Sequence, residues 1–144
     1  MGKLFATLAN KLRYPALASV PVSAAMLSRV DTVSPEQPLD YVAHLLVAGD
    51  HAQLPVVDHG QPIGVITRGD VARALQQSGP LTLVSAVCCH SALMVEPGDP
   101  LLEVLDRLRQ LPDSVAIVLD HGDPVGLLTA DRLAAYLAGA KKRG

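Results

Sequence analysis

Apolar residues recur along this chain in two rhythms, helical and extended, and the whole succession occurs twice. Leu39, Val42, Ala43 and Leu46 fall at helical spacing; Leu54-Pro55-Val56-Val57 and a second run over 63–67 follow as short β-branched stretches, split by Asp58-His59-Gly60. The same order returns with Leu101, Val104, Leu105 and Leu108, then Val115-Ala116-Ile117-Val118-Leu119, the turn Asp120-His121-Gly122 and a run over 125–129. Each half therefore predicts a short extended segment at Val33 or Val95, a helix, a β-hairpin and a closing helix, over 68–77 in the first half and 130–138 in the second. Pro38 and Pro100 open the first helix of each half, where the missing N–H costs nothing.

Shifting the sequence by 62 positions lays 20–77 on 82–139 without a gap, and 18 of the 58 pairs are identical. This is an internal duplication, and two copies make a pseudo-twofold pair rather than a solenoid. Continuously apolar strands are buried on both faces or under helices, so one copy alone would leave a core exposed and the two copies are expected to pack on each other. The expected organisation is an N-terminal amphipathic helix and linker (1–19), repeat 1 (20–77), a linker (78–81), repeat 2 (82–139) and a basic tail (140–144). Leu4, Leu8 and Leu12 carry the first of these, packing on the body or on a dimer partner, with attachment to a membrane surface as the alternative.

With 49% hydrophobic and 18% charged residues in 144, the chain builds a packed core, which excludes disorder as its main theme. A formal net charge of −2, one Phe and no Trp argue against a nucleic-acid surface. No apolar run approaches the ~20 residues of a transmembrane helix, and no secretory or myristoylation signal is recognisable, so the chain reads as cytoplasmic. Cys88 and Cys89 are adjacent, which gives no spaced disulfide framework, and both are expected as reduced structural thiols. His90 beside them lacks the converging ligands that zinc needs, so no metal is expected. The five histidines form no nucleophile set with Ser or Cys, and no catalytic residues are expected.

The junction Gly64-Val65-Ile66-Thr67-Arg68-Gly69-Asp70 carries the most chemistry. Thr-x-x-Asp between strand and helix is a capping box, the threonine hydroxyl taking the amide of residue 70 while the carboxylate takes the amide of residue 67. A purely structural cap would serve both copies, yet the second reads Gly126-Leu127-Leu128-Thr129-Ala130-Asp131-Arg132, with arginine where Asp70 stands. The fold therefore does not demand the aspartate.

The element order, the apolar-Val-Val-Asp-x-Gly turn and the Gly-x-x-Thr-x-x-Asp junction, in two copies of about 60 residues, resemble a tandem pair of cystathionine-beta-synthase-type (CBS) domains, often called a Bateman module. The resemblance implies an α/β (α+β) fold, two tandem β-α-β-β-α repeats packed with pseudo-twofold symmetry. It also implies up to two clefts between the repeats that take adenosine nucleotides and perform no chemistry. A carboxylate accepts from both vicinal hydroxyls of a ribose, while a threonine hydroxyl and helix-start amides suit phosphate. Carried across, one cleft would use Val65, Thr67 and Asp70 with Thr82, Ala86, Val87, Ser114 and Val115, and Arg68 is a candidate phosphate contact whose alternative is a solvated surface. The other would use Leu127, Thr129 and Arg132 with Val20, Ala24, Ala25, Ala52 and Gln53. Arg132 has no acceptor for ribose hydroxyls, so this second cleft is expected to be empty, the alternative being an anionic occupant.

The expected function is a regulatory module that binds AMP, ADP or ATP reversibly, S-adenosylmethionine being a further option, and signals occupancy to a partner protein or domain, the regulated activity belonging to another protein or to a parent of which this sequence is a segment. The alternative is a protein-interaction or dimerisation module that binds no nucleotide. A homodimer joined through helix faces is expected in either case.

Overall fold

The structure, a computed structural model, describes residues 19–28, 30–49, 51–87, 89–110 and 115–143, the last four by their backbone alone. The expected N-terminal helix lies outside the described residues. Two compact units emerge, one spanning Val30–Ser91 and the other joining the residues before Val30 to those from Ala92 onward.

The first unit runs through α1 (Leu39–Ala48), β2 (Gln53–Asp58), β3 (Gln61–Thr67) and α2 (Arg68–Ser78), numbering β1 (Leu27–Ser28) as the earlier strand of the other unit. β2 and β3 form the antiparallel hairpin, with Val33 bridged in parallel to Val56 on one side and His90 bridged to Val65 on the other. Its core gathers Val33, Leu39, Val42, Leu46, Leu54, Val56, Ile66, Val71 and Val84. The 3.6-residue spacing of α1 puts Leu39, Val42 and Leu46 on the buried face, while Asp40 and His44 stay exposed.

The second unit repeats this plan with fuller strands. Here β4 (Leu93–Val95), α3 (Leu101–Leu108), β5 (Val115–Asp120), β6 (Asp123–Thr129) and α4 (Ala130–Arg143) combine with β1 into a four-stranded sheet of order β1-β6-β5-β4. β4 and β5 are parallel and the other neighbours antiparallel. The core includes Val22, Val95, Leu101, Leu105, Val118 and Leu128. α4 extends beyond the residue-138 end expected for it, because its alanine-rich sequence tolerates Gly139.

Both hairpin turns adopt the twist that two-residue loops favour. His59 (φ 50°) and Gly60 (φ 79°) are left-handed, as are His121 (φ 53°) and Gly122 (φ 86°), so glycine serves the second position and an exposed histidine the first.

The segment after α2 belongs to the first unit although it opens the second repeat. The amides of Leu39, Val84 and Ser85 donate to the carbonyls of Thr82 (2.8 Å), Gln37 (2.9 Å) and Pro35 (2.8 Å). In the other unit the amides of Val22 and Leu101 donate in the same manner to Asp99 (2.9 Å) and Val20 (2.9 Å). Each unit thus borrows the opening segment of the other repeat.

Glycine permits the approach that completes the borrowing. A Cβ on Gly64 (φ 156°) would stand 2.7 Å from the carbonyl oxygen of His90, and one on Gly126 would stand 2.9 Å from that of Leu27. Replacing Gly64 by alanine should therefore push the 89–91 segment off β3 and cost about 1–3 kcal/mol. Chemical denaturation measures the loss, and faster amide exchange at Val65 and His90 locates it.

Candidate functional site: the Asp70 groove

β3 ends at Thr67, whose extended backbone (φ −102°, ψ 161°) turns the chain into α2. Thr67 Oγ1 accepts from the Asp70 amide at 3.2 Å, and Asp70 Oδ2 accepts from the Thr67 amide at 3.1 Å. The capping box read in the sequence is thus complete. Asp70 is nonetheless 8% exposed, an unusual degree of burial for a carboxylate that serves only as a surface cap.

Two basic side chains approach the same carboxyl. His90 Nε2 lies 2.7 Å from Oδ2, and Arg73 Nη1 lies 3.8 Å from Oδ1. Burial raises the Asp70 pKa, but hydrogen bonds from the Thr67 hydroxyl side and amide, together with the His90 charge and hydrogen bond, outweigh it and hold the pKa below the ordinary carboxylate value. Arg73 is two-thirds exposed and adds little to the pairing.

Asp70 opens onto a groove of about 220 Å³ lined by Arg73, Ala74, Gln77 and Ser78 of α2 and by Thr82, Ala86 and Val87 of the returning segment. Of the residues expected from sequence, Asp70, Thr82, Ala86 and Val87 meet here. Thr67 caps α2 beside them, and Val65 is buried in β3 with its backbone paired to His90. Arg68 turns the other way. Its Nη2 donates to the Leu46 carbonyl at 3.0 Å and its Nε to the His51 carbonyl, so it ties the C-terminus of α1 and is neither aimed at the groove nor simply solvated. Ser114 lies outside the described residues, and Val115 is buried at the start of β5 in the other unit.

The second set is distributed over both units. Thr129 Oγ1 accepts from the Arg132 amide at 3.1 Å, so capping of α4 survives without the carboxylate. Arg132 Nε donates to the Ala25 carbonyl at 3.2 Å, and the arginine thereby closes on a turn that also contains Ala24. Val20 packs against the core of this unit and Leu127 is buried in β6. In the first unit, Ala52 offers its carbonyl to the Arg68 amide at 3.0 Å, and the Gln53 side-chain oxygen is buried without a hydrogen-bond partner.

The sequence reading missed Arg73, Ala74, Gln77 and Ser78 as groove residues and His90 as a partner of the Asp70 carboxylate. Positions 70, 73, 74 and 77 form one face of a helix, a signal present in the sequence. Nothing local marks His90, because a bridge across Gly64 places it. Cys89 is half-buried and packed against the core, its Sγ 3.9 Å from the Val87 carbonyl oxygen, and Cys88 lies outside the described residues. Among the described residues no group of three or more His, Cys, Asp or Glu is placed to hold a metal, and no helix is long and apolar enough to cross a membrane.

Two copies of a CBS domain match residues 22–77 and 84–139, and the chain belongs to the CBS domain family. CBS pairs are generally regulatory rather than catalytic. The fold is similar to the CBS-pair protein CBSX2 from Arabidopsis thaliana, with 22% identity, coverage of 85% of this chain and 96% of that one, and a TM-score of 0.70. A second CBSX2 structure, in complex with AMP, has 22% identity, coverage of 84% and 98%, and a TM-score of 0.62. A CBS domain pair solved with 5′-methylthioadenosine and S-adenosyl-L-methionine shares 22% identity, covers 83% and 97%, and gives a TM-score of 0.71. Among curated proteins, the L-aspartate semialdehyde sulfurtransferase of Methanocaldococcus jannaschii is 27% identical over 101 residues, 69% of this chain and only 19% of that protein's length.

The depressed pKa of Asp70 gives a pH signature. The folded state binds this proton more weakly than the unfolded chain does, so the contribution is complete above the unfolded value of roughly 3.9 and is lost as pH falls through the lower folded value. Thermal melts from pH 7 to pH 2.5 should show Asp70→Asn less stable by about 1 kcal/mol at neutral pH. The gap should close at the acid end.

Proposed function

We propose that the module senses an adenosine-containing metabolite, binding it reversibly at the Asp70 groove and passing occupancy to a partner protein. The observation that carries this reading is the buried, ionised Asp70 carboxylate beside a groove and a helix start. A vicinal diol matches a carboxylate acceptor, and charge-assisted bonds of this kind contribute about 1.5–3 kcal/mol each. Thr67 and the first amides of α2 are suited to a nearby anion. Structural neighbours crystallised with AMP, and with 5′-methylthioadenosine and S-adenosyl-L-methionine, support the ligand class. Val65, Thr67, Asp70, Thr82, Ala86 and Val87 are the proposed contacts within the unit Val30–Ser91. The Arg132 site is proposed not to take ribose, because a guanidinium donates and cannot accept. The regulated activity is proposed to reside outside this chain, and the location to be cytoplasmic.

Ligand that binds only the folded state stabilises it by about 2.7 kcal/mol at a hundredfold excess over Kd. Millimolar AMP, ADP, ATP or S-adenosylmethionine should therefore raise the melting temperature by a few degrees for at least one of them. Calorimetric titration should show Asp70→Asn weakening that ligand roughly tenfold or more, by about 1.4 kcal/mol per decade. Unchanged affinity would reduce Asp70 to a cap. No shift with any of the four would favour an interaction module that binds no nucleotide.

We also propose a homodimer. Tyr41 and Val47 of α1 are 43% and 76% exposed and give an apolar helix surface with something to bury. Light scattering across micromolar concentrations should return twice the 15.1 kDa chain mass, and a monomer mass throughout would reject the dimer.

A further inference from the structure

We propose that His90 is a latch on Asp70: without ligand its imidazole occupies the acceptor that a ribose diol needs, and ligand entry requires its release. The inference rests on the reading of Asp70 as the ribose acceptor and goes beyond it by assigning the group that competes for that acceptor.

The geometry supplies each part of the latch. Nε2 of His90 lies 2.7 Å from Asp70 Oδ2, within the range of charge-assisted hydrogen bonds. Oδ2 already accepts the Thr67 amide at 3.1 Å, so the cap and the imidazole together use both acceptor positions of that oxygen. Oδ1 faces Arg73 at the longer distance of 3.8 Å. A diol approaching from the groove finds one oxygen engaged and the other screened by a solvated cation. An imidazole with its proton on Nε2 donates whether the ring is neutral or charged, so the latch requires no change of protonation.

The backbone around His90 makes release feasible without unfolding. Its amide donates to the Val65 carbonyl at 2.9 Å, and its carbonyl accepts from the Val65 amide at 3.0 Å. Those bonds hold the residue at the groove while the side chain, one-third exposed, has solvent into which to rotate. The duplication supplies a comparison. Under the 62-residue offset Ser28 stands in place of His90 and Arg132 in place of Asp70, so latch and acceptor occur together in the unit Val30–Ser91 and are both missing from the other unit. The consequence is a raised threshold, since each binding event must first break the Asp70–His90 bond.

The test is calorimetric titration of AMP into the full chain and into His90→Ala and His90→Gln, each checked for a cooperative melt well above the titration temperature. Removing the imidazole should tighten AMP binding roughly tenfold, the equivalent of one hydrogen bond to a charged group. Glutamine, whose side-chain amide places a donor near the position of Nε2, should restore affinity close to that of the wild type. Equal or weaker AMP binding by His90→Ala, with binding by the wild type retained, overturns the latch and leaves the nucleotide reading standing. Where AMP does not bind, the same titrations are run with ADP, ATP and S-adenosylmethionine, and no binding of any of the four by any of the three proteins overturns both. Long-range proton–nitrogen NMR of the wild type provides a test that needs no variant: saturating AMP should shift the His90 Nε2 resonance as its bond to Asp70 breaks, and an unmoved resonance also overturns the latch.

Discussion

The close backbone approach at Gly64 is the contact on which the site depends. A side chain there would collide with the His90 carbonyl, and without that bridge the stretch around His90 would lose its place against β3, although Thr82, Val84 and Ser85 stay bonded to residues 35–39. Once the bridge forms, Thr82, Ala86 and Val87 stand opposite α2 and a groove exists between them. The core of this unit depends on the same return, since Val84 is fully buried among residues of α1, β2 and β3. Stability and site therefore share one cause.

Asp70 stands at the meeting of two demands. As a cap it satisfies the Thr67 amide, one of the donors that a helix start leaves over. As a buried anion it needs more partners than the cap supplies, and His90 and Arg73 meet that need here. The second copy shows what the fold requires when the second demand is dropped. Thr129 alone caps α4, and Arg132 turns its side chain to the Ala25 carbonyl. Duplication followed by divergence has left one acceptor site and one self-satisfied site on the same scaffold.

Such an arrangement suits a sensor better than a catalyst. Membership of the CBS domain family agrees with this, since CBS pairs are generally regulatory rather than catalytic. The long curated relative, of which this chain spans 19%, shows that sequences of this kind occur within larger proteins.

Periodicity and duplication determined the elements from sequence alone. The spacing of Leu39, Val42 and Leu46, the paired Asp-His-Gly turns and the 62-residue offset are local or self-referential, and local chemistry dictates them. The Thr67–Asp70 cap was legible for the same reason, because its partners lie three residues apart. Tertiary structure alone decided which repeat's opening segment completes which unit, since the hydrogen bonds of Thr82 and Val84 are made to residues more than forty positions away. It decided that Arg68 ties down α1, because a guanidinium at a strand end looks the same in sequence whether it meets solvent, phosphate or carbonyl. It also decided the pairing of Asp70 with His90, which are twenty residues apart and joined only where Gly64 lets two backbones touch.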